Sequence, residues 1–491
     1  MTTQRVHDAV IIGSGFAGLG MAIQLRDAGF SDLVMLEKEA DVGGVWRDNR
    51  YPGAACDVPS HLYSFSFEPN TRWTRKFAQQ AEIHAYLREC ADKHDLRGLT
   101  RFNTEVTGAA FDEAAGLWRI STTQHSKEQN ETILARVLIS AVGQLNRPAT
   151  PRVEGIEQFK GQVFHSARWN YDVSLEGKRI AVIGTGASAI QFVPQIVPKA
   201  KSLVLIQRSA PYVIPKPDRR YLGIEQALFT KLPKVQMGSR LWQYLGHERN
   251  ALAFTVSDKF MAMPLRQFQR HLAATVSDPA LRAKLTPDYP IGCKRILISN
   301  DYYQALSQPQ VSVVNGGVER ADATGIVTSD GVHHEVDVII WGTGFKATEF
   351  LAPMKITGLG GRELNQSWQD GAEAYLGMTV AGFPNFFMMY GPNTNLGHNS
   401  IVYMLESQMN YIKQCALALR ERGARYLDVQ AAPMSEFNRK LQERLHKTVW
   451  DSGCKSWYVN DAGKNTANWS GFTIDYRVRT SKPNWSHYTI V

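Results

Sequence analysis

The chain has 491 residues, 44% of them hydrophobic and 21% charged, with 55 Lys and Arg against 46 Asp and Glu for a formal charge of +9. That length is ample for about three domains. The basic surplus comes with no Lys/Arg block, heptad pattern or zinc-type Cys/His spacing, which argues against a nucleic-acid binder and leaves an attraction for anionic cofactors.

From the N-terminus, a strand-type run begins at Asp8 with no charged region, apolar core and cleavage site ahead of it. No apolar stretch reaches the ~18 residues that span a bilayer. The expectation is a cytoplasmic protein with no membrane partner. The run DAVII feeds Gly13-Ser14-Gly15-Phe16-Ala17-Gly18, and a helical pattern follows. A pyrophosphate can lie against unpaired N–H groups at such a helix start, approached closely because glycine has no side chain. The next strand, LVMLEKE, places Glu37 19 residues beyond Gly18, where a carboxylate can accept hydrogen bonds from the ribose of FAD or NAD. This first unit is expected over 1–145, closing with VLISAVG at 137–143.

A second unit is expected over 146–217, with a linker at 159–170. The run RIAVI feeds a second turn, Gly184-Thr185-Gly186-Ala187-Ser188-Ala189, which starts 171 residues after the first. Its following strand, SLVLIQRS, ends in Gln207, Arg208 and Ser209 without a carboxylate. A permanently charged guanidinium fork and a hydroxyl suit the 2′-phosphate of NADPH. One glycine turn is weak evidence; two in strand–turn–helix context imply two dinucleotides close enough to exchange a hydride.

Residues 218–289 change to helical periodicity, as in IEQALF and PLRQFQRHLAATV, and read as a helical insertion. Strand signals return over 290–341, in VSVV and VDVIIWGTGF, completing the second unit. The stretch 342–491 is expected to rejoin the first unit and to end in an active-site loop around CKSWYVNDAGKNTANWSGF. The expected fold class is α/β, with two Rossmann-like dinucleotide-binding units, for FAD and NADPH, and the helical insertion in the second. The five cysteines, Cys56, Cys90, Cys293, Cys415 and Cys454, are odd in number and form no CxxC pair. The expectation is a reduced protein. No metal site is expected.

Between the turns stands Phe159-x-Gly161-x-x-x-His165-x-x-x-Trp169, and near the first turn stand Gly43, Gly44, Trp46, Tyr51, Pro52, Gly53 and Asp57. Together these resemble the FxGxxxHxxxW and GGxWxxxx(F/Y)PGxxxD fingerprints of the type I Baeyer–Villiger monooxygenases, within the class B flavin-dependent monooxygenases. The departure is Asn170, where that family favours Pro or Asp. The resemblance extends through SHLYSFSF at 60–67, CKR at 293–295, WGTGF at 341–345 and YGPNTNLGH at 390–398, and so covers essentially the whole chain.

The resemblance implies an enzyme that consumes NADPH and O2 and inserts one oxygen beside a ketone carbonyl by way of a flavin peroxyanion, giving an ester or lactone. It implies Arg295 as the catalytic cation and Asp57 as its partner carboxylate. A fixed positive charge in a dry pocket suits a peroxyanion and the adduct it forms, and guanidinium cannot discharge either by giving up a proton. Lys294 is implied at the 2′-phosphate and Trp457 beside the nicotinamide nucleotide. Further nucleotide contacts are implied for Lys38, Gly44, Trp46, Tyr63, Ser188, Gln191 and Asn393. His165 belongs to the linker rather than to catalysis. The substrate expected is an aliphatic ketone, and the chain a monomer or weak homo-oligomer. Two other readings stand beside this one: a flavin monooxygenase acting on nitrogen or sulfur, against which Trp169 and Arg295 argue, and a redox-silent nucleotide-binding protein.

Overall fold

The computed structural model describes residues 5–124, 129–454, 456–460 and 462–491. Strand Val6–Ile12 lies at the middle of an eight-stranded sheet, parallel to Leu33–Leu36 on one side and to Gln129–Ser140 on the other. Its last four residues and all of Leu33–Leu36 are buried. Strands covered on both faces read as continuous apolar runs rather than alternating ones, which is why DAVII and LVML carry no period of two. Strands Thr104–Asp112 and Leu117–Gln124 extend the sheet as an antiparallel meander that joins Gln129–Ser140. Much later in the chain, Lys355–Thr357 pairs with Thr104–Asp112 and Phe386–Met388 pairs with Gln129–Ser140.

A second sheet is wholly parallel, in the order Val311–Asn315, Ser202–Gln207, Arg179–Ile183, Val338–Trp341, Gln162–His165. In each sheet the strand that feeds a glycine turn is followed by a helix, Phe16–Asp27 in the first and Ala189–Ile196 in the second. Helix Phe16–Asp27 is apolar nearly all round, and it is buried against the sheet and helix Ile401–Arg422. Each of its Leu19, Ile23 and Leu25 side chains contributes about 1.5–3 kcal/mol by leaving water.

Helices Gly223–Lys231, Pro233–Thr255, Ala262–Thr275 and Pro279–Lys284 occupy the segment between the second sheet's strands. Pro233 opens its helix at a position where a missing N–H costs nothing. Asp278 caps the last of the four by accepting from the N–H groups of Ala280 and Leu281. Helix Pro233–Thr255 is fastened to the rest of the chain along one side. Its buried Glu248 accepts from Asn399 Nδ2 (2.8 Å), Thr473 Oγ1 (2.7 Å) and the Ile474 N–H (3.0 Å). Those bonds are what make burial of a carboxylate tolerable.

The expectation of a fully reduced chain is corrected. Cys293 and Cys454 form a disulfide across 161 residues, with Cα atoms 6.2 Å apart, and Cys56, Cys90 and Cys415 stay free and buried. Count and spacing carry no signal for such a pair, because only the tertiary fold brings the two segments together. Among the described residues no helix is long and apolar enough to cross a membrane, and no cluster of His, Cys, Asp and Glu could hold a metal ion.

Candidate active site

Both glycine turns open on one cleft of about 1450 Å³. That exceeds the ~1000 Å³ upper range of ordinary small-molecule sites and suits a place for more than one large ligand. Gly13 has φ +100°, and a Cβ there would stand 2.8 Å from the Ala141 carbonyl oxygen. Gly184 has φ +102°, with a Cβ 2.4 Å from the Gly342 carbonyl oxygen. Only glycine fits either place, so each turn passes directly over the end of the neighbouring strand. Gly15 and Gly44 approach each other across the cleft mouth, a Cβ on Gly44 lying 3.1 Å from Gly15 Cα. Gly18 sits in the first turn of its helix, and Gly186 and Ser188 border the cleft at the second turn.

Glu37 is buried at the cleft wall. Its Oε2 accepts from the Ser14 N–H (3.0 Å) and hydroxyl (2.6 Å), its Oε1 from the Glu39 N–H (3.1 Å), and Arg47 lies 3.3 Å away. A carboxylate offers about four acceptor positions, so Glu37 holds the turn and retains capacity toward a ribose. Lys38, Trp46 and Tyr63 border the same side, and Trp46 Nε1 donates to the Tyr63 hydroxyl at 3.2 Å. Gln144 adds a group that the sequence reading missed. Its Nε2 donates to the Tyr390 and Gly391 carbonyls, while its buried Oε1 has no partner among the described residues. An unpaired buried acceptor on a cleft wall is what a ligand N–H would satisfy. The residues present therefore fit a bound flavin nucleotide.

At the second turn, Lys294 Nζ donates to Ser209 Oγ at 2.9 Å and lies over the Tyr289 ring at 4.3 Å, and Arg208 borders the cleft beside them. Burial pulls the Lys294 ammonium below its usual range; Asp288 opposes this and Arg208 adds to it. Two cations and a hydroxyl converging on one place fit a phosphate, whose charge relieves their mutual repulsion.

Arg295 and Asp57 meet between the two turns. Arg295 Nη2 donates to Asp57 Oδ2 at 2.5 Å and Nε to the same oxygen at 3.2 Å. The side chains are 32% and 25% exposed, and both border the cleft rather than the outer surface. Burial pushes the Asp57 carboxyl up, but the Arg295 guanidinium and then Lys216 outweigh it and hold the carboxyl below its usual range. Asp57 in turn raises Arg295, so the pair is ionised at every working pH. Lys216, which no motif flagged, also donates to the Cys56 carbonyl at 3.1 Å. Tyr390 and Tyr458 face the guanidinium; burial pushes the Tyr458 hydroxyl up to about 12. The Tyr390 hydroxyl donates to Asn395 Oδ1 at 2.7 Å, and Asn395 Nδ2 donates to Asn468 Oδ1 at 2.8 Å, which joins this wall to the C-terminal loop. Trp457 borders the cleft from that loop, packed on Tyr458. The disulfide ties Cys293, next to Lys294 and Arg295, to the same loop.

Other residues flagged from sequence lie differently. Gln191 borders the cleft, but its amide is committed to protein: Oε1 accepts from the Tyr51 hydroxyl (3.0 Å) and Ala55 N–H (3.3 Å), and Nε2 donates to the Ala55 carbonyl (3.0 Å). Asn393 is buried and does not border the cleft; its Nδ2 donates to the Asn465 and Asn468 carbonyls and so fastens the C-terminal loop, while its Oδ1 has no partner among the described residues. Trp169 is packed between Phe164 and Phe192. His165 is buried, with Nδ1 accepting from the Ala167 N–H.

A family model described as flavin-binding monooxygenase-like matches residues 6–354. The chain is 47% identical over 483 residues to a protein of Pseudomonas aeruginosa named Baeyer–Villiger monooxygenase, covering 97% of this chain and 90% of that one. It is 45% identical over 496 residues to one of Streptomyces coelicolor with the same name, covering 99% and 94%. Among solved structures it is similar to a closed form of cyclohexanone monooxygenase, with a TM-score of 0.88 and 26% identity over the full length of both chains. It is also similar to an oxidised steroid monooxygenase bound to NADP, with a TM-score of 0.86 and 30% identity over 99% of this chain and all of the other.

Proposed function

Because the chain belongs to the flavin-binding monooxygenase-like family and, within it, to the Baeyer–Villiger monooxygenases, we propose that Arg295 and Asp57 form the catalytic centre of its FAD- and NADPH-dependent oxidation of a ketone to an ester or lactone. The single observation that carries this assignment is the 2.5 Å Arg295–Asp57 contact on the wall of the cleft that both glycine turns enter.

The first turn, Glu37, Lys38, Gly44, Trp46, Tyr63 and Gln144 would hold FAD, and the second turn with Arg208, Ser209 and Lys294 would hold NADPH. When bound, the flavin accepts a hydride equivalent from NADPH and activates O2 for transfer of one oxygen atom.

The protein's part is electrostatic. Arg295 supplies a cation that cannot lose its proton, placed to stabilise the negative charge that develops on the ketone oxygen as its carbonyl carbon is attacked. Asp57 holds the guanidinium through one carboxylate oxygen, and Lys216 helps to keep that carboxylate ionised. Tyr390 and Tyr458, kept neutral by burial, stand near the guanidinium without adding charge. Tyr390, Leu396, Ile401 and Trp457 give the cleft apolar and aromatic surface, which suits an uncharged ketone; an aliphatic ketone is the substrate class proposed. Incubation of the purified protein with NADPH, air and a panel of open-chain and cyclic ketones, followed by gas chromatography, tests the reading. Ester or lactone matched to NADPH consumed is the expected result.

A further inference from the structure

Twelve of the nineteen large apolar side chains exposed among the described residues lie between Leu222 and Met263, within the helical segment. Along helix Pro233–Thr255 they are arranged on one side. Val235, Trp242 and Arg249 recur at seven-residue spacing, and Lys234, Leu241 and Leu245 share their face at the 3.6-residue period; all six are exposed, Trp242 at 78%. The opposite face holds the protein. Gln236 donates to the Asn70 carbonyl, Arg240 to the carbonyls of His61 and Ser64, and Ala251 and Phe254 are buried. The outer face continues onto helix Gly223–Lys231 through Ile224, Leu228 and Lys231, and past the helix end through Val256, Phe260 and Met263.

Among the described side chains from Leu222 to Arg266, the exposed charges that lack an ion-pair partner are all positive. Lys231, Lys234, Arg249 and Arg266 are exposed and have no ion-pair partner among the described residues. Between Leu222 and Met263 the carboxylates with described side chains are Glu225, paired with Arg219, and Glu248, buried in its own hydrogen bonds. Scattered exposed apolar side chains are ordinary, but a contiguous apolar face rimmed by unpaired cations is not.

We propose that this face is a docking surface for a lipid bilayer bearing anionic headgroups, with Trp242, Leu241 and Leu245 entering the headgroup–acyl boundary and Lys231, Lys234 and Arg249 meeting the headgroup charges. A second copy of the chain is the weaker fit, since a two-fold contact would bring the same unpaired cations against each other. The expectation of no membrane partner rested on the absence of a spanning stretch, and surface attachment needs none. Attachment would place an enzyme of apolar ketones beside the phase in which apolar molecules collect.

The test is co-sedimentation of the FAD-loaded enzyme with vesicles of phosphatidylcholine alone and of phosphatidylcholine containing one third phosphatidylglycerol. The expected result is sedimentation with the anionic vesicles, weakened by salt, and little with the neutral ones. Each surface cation contributes roughly a fivefold change in partition, so Lys234→Glu with Arg249→Glu should lower binding by at least about tenfold. Trp242→Ser with Leu245→Ser should lower it comparably. Both double variants should keep wild-type turnover of a water-soluble ketone, since none of these residues borders the cleft; that turnover also shows that they fold. Enzyme that stays in the supernatant with anionic vesicles overturns the proposal, as do active variants that sediment like the wild type. A dimer that Trp242→Ser dissolves, without vesicle binding, would overturn it in favour of a second copy.

Discussion

Gln191, on the helix that follows the second glycine turn, grips the main chain at Ala55 from both sides, accepting from its N–H at 3.3 Å and donating to its carbonyl at 3.0 Å. Ala55 stands two residues before Asp57. The helix that follows the second glycine turn is thereby clamped to the loop that positions the partner of Arg295, although the two segments are 136 residues apart.

Gln191→Ala should loosen that loop. Loss of three hydrogen bonds worth ~0.5–1.5 kcal/mol each should appear as uncoupling, with more NADPH consumed per ester formed while FAD retention is unchanged. Gln191→Glu keeps the acceptor but not the donor and should fall between. A product-to-NADPH ratio unchanged in Gln191→Ala would show that the clamp does not position Asp57.

Coenzyme preference should follow Arg208, Ser209 and Lys294. A charge-assisted hydrogen bond contributes ~1.5–3 kcal/mol, so NADPH should exceed NADH at least about tenfold in kcat/KM. Arg208→Ala should shrink that ratio mainly through KM. Equal use of both coenzymes by the wild type would count against the second turn as the NADPH site.

Glu37→Ala should weaken FAD retention, because it removes the acceptor that holds Ser14 in the first turn as well as the one offered to ribose. The measurement is flavin absorbance remaining with the protein after gel filtration. A variant that elutes as yellow as the wild type would place the adenosine end elsewhere.

The Cys293–Cys454 disulfide closes a loop of 161 residues, and removing a bridge of this kind costs about 2–4 kcal/mol. Cys454→Ser, or reduction with dithiothreitol, should lower Tm by several degrees and raise the KM for NADPH by freeing the loop that carries Trp457 from Lys294. An unaltered Tm and KM in Cys454→Ser would mean that the bridge restrains nothing the site uses.

Much of this arrangement could be read before any coordinates. The two turns announce themselves because strand, glycine spacing and helix are contiguous in sequence, and Glu37 and Arg208 follow at distances set by one βαβ unit. Asp57 and Arg295 are 238 residues apart, so their partnership was legible only through family resemblance. Gln144, Lys216 and Asn395 gave no signal, because an amide or ammonium becomes part of a site through burial and orientation that depend on distant segments. For the same reason the resemblance that implied nucleotide contacts for Gln191 and Asn393 gave no sign that the Gln191 amide and Asn393 Nδ2 hold groups of the protein. The disulfide was hidden by an odd cysteine count.

The central claim is that Arg295 acts in the oxygen-transfer half of the reaction and not in flavin reduction. The measurement is rapid-mixing spectroscopy of Arg295→Ala, first following flavin reduction by NADPH without oxygen, then quantifying ester in air by gas chromatography. The account predicts reduction near the wild-type rate with ester formation lower by about 10²–10³, the usual cost of one electrostatic donor, and partial recovery in Arg295→Lys. Ester formed by Arg295→Ala at close to the wild-type rate would contradict it.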